Sequence, residues 1–168
     1  PFATATDEVV IIGGGLVGCA SALRLRDAGA RVTVLEKSVP GAEASSAAAG
    51  ILAAQIEGRA QGALFEAGLA SRELHAALAR ELRERCGVDV GYARCGTAEL
   101  CFDEAELHAL AAQVRWQHER GLRVEVLDRG ALRAREPGVP EGAVGAVYFP
   151  DDAQVEPPLL VAAVAQAA

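Results

Sequence analysis

The stretch VVIIGGGLVGCA, residues 9–20, leaves few options for the chain around it. Its β-branched start, residues 9–12, reads as a strand buried on both faces. That strand runs straight into glycines, and residues 16–28 follow with helical character. Leu16, Cys19, Ala20, Leu23 and Asp27 fall along one face of this helix, and Gly29 supplies its stop. A second strand, residues 31–36 (RVTVLE), completes a βαβ unit with short connections, the nucleus of a doubly wound parallel sheet.

Gly13, Gly15 and Gly18 make the pattern G-x-G-x-x-G. The pattern is weak alone, but here a strand precedes it, a helix opens from it, and an acid, Glu36, closes the next strand. Each glycine has a mechanical reason. Gly13 permits the tight turn, Gly15 lets backbone touch a pyrophosphate, and Gly18 lets helix and strand pack closely. The helix N-terminus at Leu16 and Val17 offers free N–H groups and partial positive charge to phosphate oxygens. A carboxylate at Glu36 accepts hydrogen bonds from ribose hydroxyls and repels a 2′-phosphate, which points to FAD or NAD and away from NADP.

Residues 39–50 (VPGAEASSAAAG) are rich in small side chains and read as a loop entering a helix at Ser45 or Ser46. A long amphipathic helix is expected over 64–86, with Leu74, Leu78 and Leu82 spaced four apart and Gly87 closing it. Strands are expected at 88–92, 97–102, 123–127 and 143–149. A helix over 103–120 takes Asp103 as N-cap and carries the stripe Leu107, Leu110, Ala111, Val114 and His118. Residues 131–135 read as a helical turn, PDDAQVEPP as a turn, and 157–168 as a helix with proline in its first position. Glu156, just before that proline, is a poor N-cap.

Charge and composition exclude several classes. The formal net charge is −7 and the pI about 5.0, against the basic face that nucleic-acid binding needs. Asp7 and Glu8 stand where a signal peptide would be positive, and the apolar start is shorter than the roughly 20 residues of a membrane span. A cytoplasmic location is the expectation. Cys19, Cys86, Cys95 and Cys101 form no CxxC pair and no zinc spacing with His75, His108 or His118, so they read as buried or half-buried reduced thiols.

VVIIGGGLVGCASALRLRDAGARVTVLEK, followed by GAEASSAAAGILAAQ, resembles the amino-acid oxidase (DAO) family of flavoproteins. The likeness continues in GVDVGYARCGTAEL and in GAVYFPDDAQVEPPLLVAAV, and is nearest to the glycine oxidases of the thiazole branch of thiamine biosynthesis. The resemblance implies FAD as cofactor and a Rossmann-like α/β domain with part of an interleaved α+β substrate domain. It implies an FAD-binding part over 7–86, a substrate part over 87–150 and a return to the FAD domain over 151–168. It also implies that Leu16 and Val17 meet the pyrophosphate, Glu36 and Lys37 the adenosine ribose and its surroundings, and Ala44, Ser45 and Ser46 the phosphates. Ala49, Gly50 and Ile51 would lie along the isoalloxazine ring or its ribityl chain.

The same resemblance implies hydride transfer from the α-carbon of a small amino acid to the flavin, hydrolysis of the imine, and reoxidation by O2 with release of H2O2. Such chemistry needs no protein nucleophile, and none is assigned. Family members are longer, so the chain reads as an N-terminal half, with a homo-oligomer expected for the intact protein. Two alternatives stand beside this reading: a D-amino-acid or proline dehydrogenase passing electrons to a quinone, and an inactive FAD-binding fragment or partner chain. Asp151 and Asp152 resemble a carboxylate pair but read as a surface turn. His118 reads as a packed or boundary histidine, and Arg115, Arg120, Arg133 and Arg135 as a solvated face. Trp116 falls off the Leu107 stripe and is a candidate contact with further chain or another subunit.

Overall fold

A computed structural model describes residues 8–168. Asp7, the first residue of the expected FAD-binding part, lies outside the described residues. In chain order the elements are β1 (Glu8–Ile12), α1 (Leu16–Asp27), β2 (Arg31–Leu35), α2 (Ala44–Ala47), β3 (Ile51–Leu52) and α3 (Ala63–Cys86). Then come β4 (Thr97–Cys101), α4 (Glu104–Glu119), β5 (Glu125–Asp128), α5 (Arg129–Arg135), β6 (Gly145–Phe149), β7 (Ala153–Gln154) and α6 (Pro157–Ala167). No helix among the described residues is long and apolar enough to cross a membrane.

The chain packs as two units. The first takes the described residues up to Gly50, with His75–Tyr92 and Val155–Ala168; the second takes Ile51–Leu74 and Ala93–Gln154. This packing division runs differently from the sequence boundaries at 86 and 150, because β3 pairs with β7 and so carries residue 51 onward into the second unit.

In the first unit β1 and β2 pair in parallel, Glu8 opposite Arg31 through Ile12 opposite Leu35. The connection between them is α1, which ends where Gly29 adopts φ +93 and donates to the Arg26 carbonyl at 2.9 Å. The α1 core face is narrow and small: Cys19, Ala22 and Leu23 are buried, and the helix packs against β2 and α6. α6 is the most apolar helix, burying Leu160, Val161, Ala163 and Val164. Arg24 forks onto Glu81, both bonds 2.8 Å, and Arg85 forks onto Asp27 at 2.8 and 3.1 Å, tying α1 to the end of α3. Leu82 is fully buried there, but Leu74 is 68% exposed, so the expected leucine stripe does not hold at its first position.

Residues 88–92 are not a strand. Gly91 sits at φ +65, its N–H bonded to the Asp89 carboxylate at 3.0 Å, and this left-handed residue breaks the extended run that Val88, Val90 and Tyr92 suggest. Conversely, Ala153–Gln154 pair as β7 inside the segment expected to be only a turn, and Ile51–Leu52, where no strand was expected, is their partner. The ladder is extended on its other side by the bridge between Ala93 and Gln154.

The second unit is built on the antiparallel sheet β4-β6-β5. Leu107, Leu110 and Val114 of α4 cover one face together with Cys101, Val147 and Phe149. Leu132 of α5 covers the other face with Leu127, Ala143 and Ala146. Asp103 caps α4 as expected, accepting from the Glu106 N–H at 2.7 Å. The α4 stripe ends differently from expectation: Gln117 is fully buried and His118 is exposed, because the inward face follows 107, 110, 114, 117. Trp116 meets Phe65 edge-on at 4.8 Å within this unit, and Arg120, read as solvated, pairs with Glu66. Arg135 pairs with Glu125 and stacks over Tyr148 at 4.3 Å. All four cysteines are free, and Cys95 is exposed, contrary to the expectation that each is at least half-buried.

Asp151 and Asp152 part ways. Asp151 pairs with Arg123 near the surface, whereas Asp152 is completely buried, so the surface-turn reading fails for it. Its burial is compensated by the buried Arg72 guanidinium at 3.0 Å and by donors from three other residues.

Candidate functional site

The site is built where β1 stops. Gly13, at φ +104, turns the chain out of the strand while its N–H donates to the Leu35 carbonyl at 2.8 Å. A side chain other than hydrogen is strained in that conformation. Gly18 answers a second demand: a Cβ there would lie 2.0 Å from the Gly13 carbonyl oxygen and 3.4 Å from Ile11 Cγ2. Only a bare backbone lets α1 start this close to β1. Gly15 is the N-cap of α1 and offers no side chain to the first-turn N–H groups.

Two side chains from elsewhere reach this loop. Glu36, the residue after β2, accepts from the Gly14 N–H through Oε2 at 2.7 Å and from the Ser38 N–H through Oε1 at 3.0 Å. The Gly14 bond first, then the Ser38 bond, hold its carboxyl below the ordinary carboxylate range. The group is therefore an acceptor at neutral pH. Ser45, on α2, accepts from the Leu16 N–H at 3.0 Å. Beneath the loop the Cys19 thiol donates to the Gly14 carbonyl at 3.3 Å; burial first, and the Glu36 charge second, push its pKa up, so it stays a neutral thiol.

These parts surround a cavity of about 370 Å³. Of the residues expected to bind cofactor, Gly13, Gly15, Glu36, Lys37, Ala44 and Ser45 line it. Leu16 touches it through the bond to Ser45, and Val17, on the same turn of α1, is 81% exposed. Gly18 lies behind the loop as packing. Ser46 is turned aside, its hydroxyl donating to the Glu43 carbonyl at 2.9 Å. Ala49, Gly50 and Ile51 do not line the cavity. Gly50 is held at φ +81, where a Cβ would meet the Val155 carbonyl oxygen at 2.0 Å. Ile51 opens the second unit with 56% of its surface exposed.

Sequence reasoning missed Gly41, Ala42 and Glu43 of the cavity wall. Gly41 carries the signal that could have found them. It follows Pro40, adopts φ +80, donates to the Gly14 carbonyl at 3.0 Å, and leaves no room for a Cβ beside Val161 of α6. Glu43 pairs with Lys37 across the cavity mouth.

The residues present fit a dinucleotide. A glycine-lined floor, first-turn N–H groups, an ionised carboxylate at the end of β2 and a serine hydroxyl converge on one cavity. Together with the parallel βαβ frame they define the chain as a dinucleotide-binding α/β protein. It belongs to the family of FAD-dependent oxidoreductases, whose model, described as "FAD dependent oxidoreductase", matches residues 8–168. The cofactor of this family is FAD.

The chain is 41% identical over 162 residues to a glycine oxidase of Geobacillus kaustophilus, covering 96% of this chain and 43% of that protein. It is 36% identical over 165 residues to a bifunctional protein ThiO/ThiG of Synechocystis, covering 97% of this chain and 23% of that one. The crystal structure of glycine oxidase from Geobacillus kaustophilus superposes with a TM-score of 0.91 at 40% identity, over 96% of this chain and 44% of that one. The chain thus spans less than half the length of the relatives it matches.

Proposed function

We propose that this chain forms the FAD-holding and part of the substrate-holding framework of an oxidoreductase that converts glycine, or a similar small primary or secondary amino acid, to its imine. The acceptor in this reading is O2, reduced to H2O2. The supporting observation is the likeness to glycine oxidase over 96% of the chain, at 41% identity, together with the cavity that the glycine loop and Glu36 line.

In this reading the N–H groups of Gly15 and Val17 hold the pyrophosphate directly and that of Leu16 acts through Ser45, helped by the partial positive charge of α1. Glu36 keeps its grip on the Gly14 N–H with one oxygen and on the Ser38 N–H with the other, and offers the second lone pair of each to ribose hydroxyls, with Lys37 beside it. The Ser45 oxygen already accepts from the Leu16 N–H, so its own proton is free to donate to a phosphate oxygen. Ala44 completes the phosphate wall, while Ser46, whose hydroxyl is held by the Glu43 carbonyl, takes no direct part. Ala49, Gly50 and Ile51 let a flat ring lie against backbone. When bound, FAD supplies the two-electron acceptor for oxidation at the substrate α-carbon. The first unit then serves as the cofactor-holding part and the second as part of the substrate-holding one.

The test is made on the longest polypeptide that the open reading frame encodes. Purified protein should carry a visible flavin band through gel filtration and release peroxide with glycine, sarcosine or D-alanine. Retained NAD in place of flavin would overturn the cofactor assignment. Flavin reduction by glycine without oxygen consumption would move the reading to a dehydrogenase with another acceptor.

A further inference from the structure

Gly13, Gly14 and Gly15 follow one another, and Gly14 is the buried one. With no Cβ on any of the three, no side chain of the loop limits its torsions. Its shape has to be held from outside, and both peptide groups of Gly14 are gripped. The N–H, in the plane shared with Gly13, donates to Glu36 Oε2 at 2.7 Å. The carbonyl, in the plane shared with Gly15, accepts twice: from the Gly41 N–H at 3.0 Å and from the Cys19 thiol at 3.3 Å. Both lone pairs of that oxygen are thus engaged. Cys19 is 3% exposed, and its burial keeps the thiol protonated and therefore a donor.

Covalent geometry turns this grip into a statement about Gly15. A trans peptide group is planar, and its C=O and N–H point in opposite directions. A Gly14 carbonyl held towards Cys19 and Gly41 therefore sets the direction of the Gly15 N–H, opposite to both. Among the described residues no protein group accepts from that N–H, and Gly15 lines the cavity. Cys19 holds Gly15 from its other side as well, since its own backbone N–H donates to the Gly15 carbonyl at 3.0 Å. Gly41 is fixed in turn by α6, where a Cβ would come within 2.6 Å of Val161 Cγ1. Every group named belongs to the first unit.

We infer that Cys19 is a positioning residue for the dinucleotide: its thiol, with the Gly41 N–H, sets the Gly14–Gly15 peptide plane so that the Gly15 N–H meets the pyrophosphate. This rests on the proposed phosphate contact at Gly15. The thiol touches no part of the cofactor and acts only through the peptide group above it.

The experiment uses the longest polypeptide of the reading frame, freed of cofactor, with Cys19→Ala, Cys19→Ser and, as control, Cys86→Ala. The control removes the same kind of bond from the same unit, because the Cys86 thiol donates to the Ala163 carbonyl at 3.5 Å, away from the cavity. FAD affinity is read by titration, ADP affinity by competition with FAD, and the amide exchange of Gly41 on the cofactor-free protein. Cys19→Ala should weaken FAD about fivefold and ADP, which carries the diphosphate without the flavin, by the same factor. It should also speed Gly41 exchange about threefold beyond any global change. Cys19→Ser, whose hydroxyl also donates, should stay within about twofold of wild type in all three. Cys86→Ala should leave all three at the wild-type value. Cys19→Val, which fills the space without a donor, decides the matter if Cys19→Ala does not fold. Unchanged FAD affinity in the donor-free variant, a loss for FAD that ADP does not share, or Cys19→Ser as weak as Cys19→Ala would overturn the inference. A wild-type protein that takes up no FAD refutes the cofactor-holding reading itself, and the inference falls with it. Wild-type and donor-free proteins that bind FAD equally well refute the inference alone.

Discussion

At Gly18 a single missing methyl group decides whether the loop can exist. Gly18→Ala would push a Cβ to 2.0 Å from the Gly13 carbonyl, which belongs to backbone and cannot swing away. We expect a stability loss of about 1–3 kcal/mol in urea unfolding, typical of overpacking, together with loss of retained flavin. Asp152 gives the opposite kind of prediction. Arg72→Met alone strands a buried carboxylate and should cost about 3–5 kcal/mol, while the double variant Arg72→Met/Asp152→Leu should recover part of that loss. An equal or larger loss in the double variant would show that the pair itself is net stabilising. These residues were not equally legible. Gly13, Gly15, Gly18 and Glu36 announce themselves because their reasons are local, a strand end, a helix start and an acid at a fixed offset. Asp152 does not, because its partners lie 55 to 97 residues away and Pro-Asp-Asp is also ordinary turn chemistry.

Between elements, the joint of α1 and α3 is electrostatic at its rim. Asp27 is held below its ordinary value first by the hydrogen bond from Arg85, and Glu81 first by the bond from Arg24. With both folded pKa values depressed, the unfolded chain takes up protons first as pH falls. The contribution of the lattice is therefore whole above the ordinary carboxylate values of 3.8 and 4.5, fades below them, and is lost once pH passes the folded values. Glu81→Gln should lower Tm by about 1–4 °C at pH 7 and by less at pH 3, and high salt should shrink the difference. A difference that grew on acidification would refute this account. Element types were mostly readable from periodicity, and errors arose where two rules competed. Residues 88–92 alternate like a strand, yet Gly91 takes a left-handed conformation. The four-residue step from Val114 assigns position 118 to the inner face of α4, yet the three-residue step to a glutamine at 117 fits there because carbonyls of residues 55 and 58 accept its protons. β3 and β7, two residues each, carry no periodicity to read.

Across the whole molecule, the chain leaves one unit and re-enters the other after Gly50, Leu74, Tyr92 and Gln154. No composition shift marks these crossings, so physical reading alone returned the βαβ unit and the separate strands of the second unit, not their pairing, and family likeness alone suggested the interleaving. The first unit needs α6: Leu160, Val161, Ala163 and Val164 are buried, and Val161 closes on Gly41 of the cavity wall. A polypeptide ending at residue 156 should therefore lose the cooperative unfolding of the first unit and retain no flavin. Native-like melting and flavin binding without α6 would refute that dependence.

The placement of α6 against α1 also bears on how the protein is made. Helix α1 leaves the ribosome early, but the residues that pack on it, 157–167, are synthesised about 130 positions later. At roughly 5–20 residues per second the glycine loop waits on the order of ten seconds for its supporting helix. During that interval the α1 face of Cys19, Ala22 and Leu23 lacks its cover, which makes it a natural client for ribosome-bound chaperones.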